Sequence, residues 1–559
     1  MKTTARSLRN AAAGALCLLL GAAAAAQPQK SHDAAVNRNL NTFSELVKQL
    51  EMNYVDSIRT DESFEAAIAA MLSTVDPYTE YYTGEDIDDL NTLTTGEYGG
   101  IGSYILTRGD WTYISEPYEG SPAAEAGLRG GDRIVRIDTL SARGLSSQEV
   151  SKKLRGVPGT PLTLEIVRPY VEDSLLTVTL QRRKLQLPSV PYWGRRGETG
   201  YIRLTSFIDK SPDEVRAALE AFREDPQVRN VVLDLRDNGG GLLESAVEIV
   251  GFFVPKGTEV LRTRGRDAAR EKTYRTTHTP LMPDIPLAVL VNGNSASASE
   301  ITAGALQDLD RAVIIGSRSF GKGLVQSTVQ LPYSSLLKVT VAKYYIPSGR
   351  LIQALDYSRR NPDGSVARTP DSLTSVYRTL NGREVRDGGG IKPDIEMEEP
   401  TMSGLLYDLL RDNRIFDFAT RYAATHDDIA DPETFTVTDD IYDAFKASVD
   451  TASFRYDHTC AELAENLRKA ARAEGYLTAD VDSALTALHA MLTPDLASDL
   501  DSKRGPVSHY LGQEILSRRY FDRGKLIYTL RTDSVLQRAS SVLADRPLLD
   551  SILGRKPKR

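Results

Sequence analysis

Cysteine is nearly absent from this 559-residue chain, which has two, Cys17 and Cys460. Cys17 lies inside an apolar N-terminal run, so an internal disulfide and a thiolate metal site are excluded for the remainder. Histidine is also scarce, with six residues and no H-E-x-x-H or similar pair, which argues against a zinc enzyme. Beyond the first 26 residues no stretch is apolar enough to read as a bilayer span. A positive balance is missing too. Lys and Arg number 68 against 76 Asp and Glu, giving a formal charge of −8, which argues against nucleic acid as a partner.

What is present begins at the N-terminus. Lys2, Arg6 and Arg9 precede an apolar run from Ala11 to Ala26 that ends in Ala24-Ala25-Ala26. A basic region, a hydrophobic stretch and an A-x-A signal read as a secretory signal peptide, 1–26, and the run is short for a transmembrane helix. Leu16 precedes Cys17 where a lipoprotein signal wants a small residue, so lipidation is not expected. Cleavage after Ala26 removes three cations and no acid, taking the formal charge from −8 to −11. The chain is therefore expected to be exported, and soluble or peripherally attached to a membrane. Its length suggests two to four domains, and its 41% apolar and 26% charged residues are ordinary for globular protein.

The texture changes along the chain. Residues 32 to about 75 read as helical, with Val36, Leu40, Phe43, Val47 and Leu50 on one face and Asp33 as a cap. A second helix is expected near Glu62 to Leu72. From Thr94 short β-runs and glycines take over, and Ser146 with Glu149 forms a capping box opening a short helix. Residues 184 to about 400 alternate strand and helix. "TGYIRLTSF", "VRNVVLDLR", "PLAVLVN", "RAVIIGS", "GLVQSTVQL" and "LLKVTVAKYYI" read as strands, with helices at 211–223, 242–252 and 299–309, an α/β core of buried strands. After about 400 the chain turns helical and charged. Cys460, Leu463, Leu467 and Ala471 line one face, stopped by Gly475; Val507, Tyr510, Leu511 and Ile515 line another, opened by Pro506. No chemical motif is visible there, and the final "GRKPKR" reads as a frayed basic tail.

Three segments of the α/β region carry unusual residues. "NGNSASASEI" (292–301) puts three serines on alternate positions with no histidine inside the segment. Ser297 and Glu300 fit a capping box at a strand-to-helix turn. "LDLRDNGGGL" places Gly239, Gly240 and Gly241 between a buried strand and a helix, where backbone N–H groups can converge on an oxyanion or a phosphate. No G-K-[ST] follows, so it is not a P-loop. "SFGKGLVQ" sets Lys322 between two glycines that let the backbone approach a site closely.

Taken together, "GSPAAEAGLRGGDRIVRID" resembles a PDZ domain. "LDLRDNGGGL", "NGNSASASEITAGALQD" and "SFGKGLVQ" downstream of it resemble the carboxyl-terminal processing, or tail-specific, proteases, over roughly residues 40 to 400. The resemblance implies a multidomain α+β protein. Its parts would be a signal peptide (1–26), an N-terminal helical region (27–93), a PDZ domain (94–183), an α/β serine protease core of crotonase/ClpP-like type (184–400) and an all-α C-terminal region (401–559). It implies Ser297 as nucleophile, Lys322 as its base and Gln326 as the residue that orients the lysine. Ala298 N–H with Gly239 or Gly240 N–H would form the oxyanion hole. Asp308, given weight in parts of the family, reads equally as a helix-end structural residue. In the PDZ domain, Gly99, Gly100, Ile101 and Gly102 would hold a peptide carboxylate. Ser103 to Leu106 would offer a strand edge, and Val150 and Leu154 would wall the groove. The implied substrates are proteins or peptides with a free, apolar C-terminus. No cofactor, metal or nucleic acid is called for, a homodimer or an adaptor protein is compatible, and the implied location is periplasmic.

The chemistry is coherent. A lysine accepts the serine proton only when neutral, which near pH 7 requires its pKa of about 10.4 to fall by roughly 2–3 units, about 3–4 kcal/mol. Burial supplies that if no carboxylate pairs with it; Glu300 is kept away if it turns back to the Ser297 N–H. Gln326 can accept from the lysine without adding charge. Two other classes remain compatible with parts of the sequence: a non-catalytic PDZ scaffold, and an acyl-transfer or CoA enzyme using the glycine turn for an enolate. The first leaves the Ser297, Lys322 and Gln326 set unexplained, the second the PDZ domain and Lys322.

Overall fold

The computed structural model describes residues 32–171, 174–361, 365–398, 401–449, 453–456, 458–493 and 495–555. The expected signal peptide with Cys17, and the last four residues of the basic tail, lie outside them. The chain divides into two units, Met1–Tyr81 and Tyr82–Arg559.

In the first unit a helix over 32–53 (α1) is followed by Thr60–Ser73 (α2). Phe43 and Phe64 meet edge to face with centroids 6.0 Å apart. Asp33 lies inside α1 rather than capping it. The stripe of Val36, Leu40, Phe43 and Leu50 stays exposed. The tyrosine-rich turn that follows is held by Asp76, whose Oδ1 accepts from the Tyr78 and Thr79 amides at 2.8 and 2.9 Å.

The second unit opens with helix α3 (Glu85–Thr95) and strand β1 (Glu97–Gly100). A small antiparallel domain follows, built from β2 (Ser103–Arg108), β3 (Trp111–Pro117), β4 (Arg133–Ile137), helix α4 (Ser147–Leu154), β5 (Pro161–Val167) and β6 (Leu175–Gln181). The strands pair in the order β2-β3-β4-β5-β6, and β1 pairs with β7 (Arg183–Gln186). Alternation along β5 sends Leu162, Leu164 and Ile166 inward against Ile114 and Ile134, all fully buried. The capping box of α4 forms, with Ser146 N–H donating to Glu149 Oε2 and Glu149 N–H to Ser146 Oγ.

The segment linking this domain to the core is structured. Its β8 (Tyr192–Arg196) is an edge strand antiparallel to β9 (Thr199–Arg203). Arg195 and Arg196 pair with Asp225 at 3.0 Å and Glu433 at 2.5 Å.

The core is an open sheet, ordered β8-β9-β10-β13-β14-β17 and parallel after its first pair. Around it the chain runs through α5 (Ser211–Glu224), β10 (Asn230–Asp234), α6 (Leu243–Gly251), β11 (Glu259–Gly265), β12 (Lys272–Arg275), β13 (Leu287–Val291) and α7 (Ala298–Asp308). It continues as β14 (Val313–Gly316), β15 (Leu324–Leu331), β16 (Ser335–Tyr345) and β17 (Ile395–Glu396). β15 and β11 flank β16, and β12 flanks β11, in a second, antiparallel sheet. Every residue of β10, β13 and β14 is buried, because both faces of the parallel sheet are covered. Val231, Leu233, Val289 and Val291 face α5, α6 and α7.

Val232, Ala288 and Leu290 point the other way, onto the last two helices, α15 (Ser534–Ala544) and α16 (Arg546–Ile552). The intervening helices α8 (Gly404–Arg411), α9 (Arg414–Thr425), α10 (Asp439–Ser448), α11 (Thr459–Ala473), α12 (Ala479–Met491), α13 (Leu496–Ser502) and α14 (Arg504–Leu530) include a bundle with its own core. Val507, Leu511 and Ile515 are fully buried in it, as their spacing predicts. Leu463 and Leu467 are not. They are 62% and 55% exposed, and Ala461 and Ala464 take the inward face of α11.

Candidate active site

The site lies where β13 turns into α7. The three serines of the turn differ in what their hydroxyls do. Ser295 is fully buried; its Oγ accepts from the Asn292 N–H at 2.9 Å and donates to the Leu235 carbonyl at 2.8 Å. Ser299, also fully buried, donates to the Asn238 carbonyl at 2.8 Å. Both bind the turn to the glycine-rich loop after β10. Ser297 alone of the three is partly exposed, and its backbone sits at φ 55, ψ −114. A non-glycine residue held at positive φ stores of order 1–3 kcal/mol and persists only where its surroundings impose it. A sharp strand-to-helix turn of this kind presents a serine hydroxyl at the mouth of a helix.

Glu300, one turn into α7, is 0% exposed, and its carboxylate gathers four donors. Oε1 accepts from Ser319 Oγ at 2.5 Å and Gly321 N–H at 2.7 Å. Oε2 accepts from Ser297 N–H at 2.9 Å and Lys322 N–H at 2.8 Å. Burial pushes this carboxyl up, against those hydrogen bonds, which pull it down. The carboxylate is thus occupied by backbone and hydroxyl donors, as the capping-box reading of Glu300 requires.

Lys322 lies in the loop between β14 and β15 and is partly buried. Its glycine neighbours allow tight packing against the segment at 353–354. A Cβ at Gly321, where φ is +94, would meet Ala354 Cβ at 2.4 Å; one at Gly323 would meet the Gln353 nitrogen at 2.9 Å. Gly323 N–H donates to Gln353 Oε1 at 2.6 Å. Gln326 follows a bulge in β15, and its Nε2 donates to Thr340 Oγ1 at 3.1 Å. With its nitrogen so used, the amide oxygen is the end able to accept from an ammonium.

The glycine loop closes on the serine. A Cβ on Gly240, at φ +101, would lie 2.7–2.9 Å from the Ala296 oxygen, Ser297 Cβ and the Ala298 nitrogen. The Gly240 N–H is taken by Asn238 Oδ1 at 2.9 Å, an interaction that fixes the turn. Around Gly239 a Cβ would meet nothing within 4 Å. Asp308 sits at the far end of α7, buried and ion-paired with the buried Arg350 at 2.9 Å, and its Oδ2 accepts the Ser348 N–H at 3.0 Å.

In the small antiparallel domain a cavity of about 90 Å³ is lined by Ile101, Gly102, Ser103, Ile105, Tyr118 and Leu154 among others. β2 pairs only with β3 among the described residues, so its outer edge flanks this cavity. Gly99 and Gly100 lie within the β1–β7 ladder, and Gly99 packs so closely on the Gly156 carbonyl that a Cβ would reach 2.1 Å. Val150 belongs to the domain core, and Ser151 takes its place beside Leu154 on the groove wall. Among the described residues no group of three or more His, Cys, Asp or Glu is placed to hold a metal ion.

Sequence patterns did not single out Tyr344, Ser319 or Asn238. Tyr344, 1% exposed, places its hydroxyl 2.8 Å from the Lys322 carbonyl and 3.2 Å from that of Ser297. It sits in an ordinary β-run, and only the pairing of β16 across the core brings it here.

Fold and site define a PDZ-bearing serine peptidase. Family models agree: a PDZ domain matches residues 113–168, peptidase family S41 matches 198–366, and the C-terminal helical domain of a probable PDZ-protease matches 405–543. The carboxy-terminal-processing protease of Bartonella bacilliformis is 35% identical over 366 residues, 65% of this chain and 82% of that protein. A probable CtpA-like serine protease of Staphylococcus aureus is 34% identical over 347 residues, 61% of this chain and 66% of that protein. Among solved structures, the photosystem II D1 C-terminal processing protease aligns at 27% identity over 63% of this chain and 86% of that one, with a TM-score of 0.35. The chain belongs to the carboxy-terminal processing protease family.

Proposed function

We propose that this protein is an exported endopeptidase that reads substrate C-termini in its PDZ groove and cuts with Ser297 as nucleophile and Lys322 as general base. The observation that carries the reading is that one buried carboxylate, Glu300, holds the amides of Ser297 and Lys322 on a single oxygen. It keeps the two backbones adjacent while occupied by those amides. A lysine in a partly buried loop can lose its proton near neutral pH. It then takes the Ser297 proton as the hydroxyl attacks a peptide carbonyl, and returns it to the leaving amine. Gln326, its nitrogen committed to Thr340, offers its oxygen to orient the lysine.

The Ala298 N–H and a glycine N–H stabilise the tetrahedral oxyanion, each worth about 3 kcal/mol. Because Asn238 takes the Gly240 amide, Gly239 is the better second donor. In the PDZ domain, Ile101 and Gly102 receive the peptide carboxylate and the β2 edge receives its backbone. The basic, then apolar N-terminal stretch ending in Ala24-Ala25-Ala26 supports export, and the proposed location is the periplasm.

The test is cleavage of a peptide with an apolar C-terminus. Ser297→Ala and Lys322→Ala are expected to abolish it with folding intact, and Gln326→Ala to weaken it less. Activity should ignore chelators and rise from neutral to mildly alkaline pH. Wild-type cleavage by purified Lys322→Ala would refute the assignment. Deleting residues 94–182 should uncouple cleavage from the identity of the substrate's last residues.

A further inference from the structure

We infer that Tyr344 is a positioning residue for the reaction, holding the nucleophile and its base in register from the side opposite Glu300. The inference depends on Ser297 and Lys322 being the reacting pair. Each of these residues has one backbone donor and one backbone acceptor. Both donors end on Glu300 Oε2, at 2.9 and 2.8 Å. Both acceptors face the Tyr344 hydroxyl, at 3.2 Å for the Ser297 carbonyl and 2.8 Å for that of Lys322. The two residues are therefore held on both sides of their backbones by the same two side chains, though they lie 25 positions apart in the chain.

The grip has two consequences. Ser297 keeps a positive φ that nothing in its own sequence favours; Glu300 holds its N–H, and its carbonyl accepts from the Ile301 N–H at 2.9 Å as well as from the Tyr344 phenol at 3.2 Å. The lysine loop, lined by glycines, has little rigidity of its own. It is tied to β16 by the Tyr344 N–H donating to the Gly323 carbonyl at 3.0 Å, and to the serine turn by the Tyr344 phenol. The phenol is 1% exposed, so water cannot substitute for it. Its hydroxyl lies within hydrogen-bond distance of both carbonyls, nearer to that of Lys322. Misplacement of a base by about 1 Å costs on the order of a hundredfold in rate.

The experiment compares wild type, Tyr344→Phe and a control, Tyr345→Phe, the next residue, whose ring lies under Arg264. Active serines are first titrated to completion with a fluorophosphonate, and Ser297→Ala must fail to label. If it labels, or if Lys322→Ala cleaves normally, the reading of the active site falls before Tyr344 is tested. Given that footing, Tyr344→Phe is expected to lower kcat per titrated serine tenfold or more. It should slow fluorophosphonate labelling in proportion and leave KM for the tailed peptide unchanged, with Tyr345→Phe at wild-type values. A merely structural role would reduce the titratable fraction and leave kcat per active serine untouched; that result, or wild-type kcat, overturns the inference. Should Tyr344→Phe not fold, 3,5-difluorotyrosine at position 344 preserves the shape while changing the donor. An unaltered kcat and labelling rate across the pH range would then overturn it equally.

Discussion

The amide groups of Ser297 and Lys322 meet on the same atom, Glu300 Oε2, at 2.9 and 2.8 Å. A carboxylate does this with two oxygens and no proton to place; an amide does not. Glu300→Gln keeps the shape but leaves one acceptor oxygen for four donors. Each buried donor left unpaired costs about 1–3 kcal/mol. Glu300→Gln is therefore expected to lower the melting temperature and to reduce kcat at least a hundredfold, read by thermal denaturation and peptide cleavage.

The flanking serines should behave differently from Ser297. Ser295→Ala and Ser299→Ala each remove a buried bond between the turn and the glycine loop, and should cost about 1–2 kcal/mol of stability. Both variants should still label with a fluorophosphonate. Mass spectrometry of the labelled peptide decides which serine carries the adduct.

Neighbouring glycines should respond in opposite ways. At Gly240 a methyl group would lie 2.8 Å from Ser297 Cβ at a backbone angle that side chains rarely adopt. Gly240→Ala is expected to abolish cleavage and to destabilise by about 1–3 kcal/mol. Gly239→Ala has open space around it and keeps its N–H, so it should fold and retain most activity.

Asp308 should prove structural. It pairs with Arg350 where both side chains are buried, at the far end of an eleven-residue helix, about 16 Å along the axis from Ser297. Asp308→Ala leaves a buried cation unpaired and should cost about 3–5 kcal/mol. kcat per titrated serine should stay near the wild-type value.

The contact between the PDZ domain and the helical bundle should be pH-sensitive. Burial pushes the Glu116 carboxyl up to about 7, with the Asp522 carboxylate of α14 adding to the rise and Lys525 and Arg518 opposing it. A folded value above the ordinary one means that folding favours the protonated form. That stabilisation is complete below about 4.5 and is lost as pH rises through about 7. Glu116→Gln should thus melt higher than wild type at pH 8, by on the order of 1–2 kcal/mol, and match it at pH 5. Equal melting-temperature differences at the two pH values would contradict the assignment.

Much of the core was legible from patterns of two kinds. Continuous apolar runs marked the strands at 230–234, 287–291 and 313–316, buried on both faces, whereas "GLVQSTVQL" and "LLKVTVAKYYI" form a partly exposed antiparallel pair; the expected helices at 211–223, 242–252 and 299–309 lie within one residue of Ser211–Glu224, Leu243–Gly251 and Ala298–Asp308. The Leu463 and Leu467 stripe misled, because spacing fixes which residues share a helix face but not whether anything packs on it. Nothing in the local pattern of the segment before the core marks Tyr192–Arg196 as a strand, yet it gains an edge position on the sheet.

By itself the sequence determined the chemistry on offer. A serine able to cap a helix, a lysine between glycines, a glycine turn and a PDZ-like stretch are local facts of composition and spacing, and they suffice to name a family. Tertiary structure alone decided that Ser319, Gly321 and Lys322 join the Ser297 amide on Glu300, and that Tyr344 and the C-terminal helices belong to the core. Those outcomes depend on contacts between residues tens to hundreds of positions apart, and local pattern carries no record of which distant groups will share one hydrogen bond.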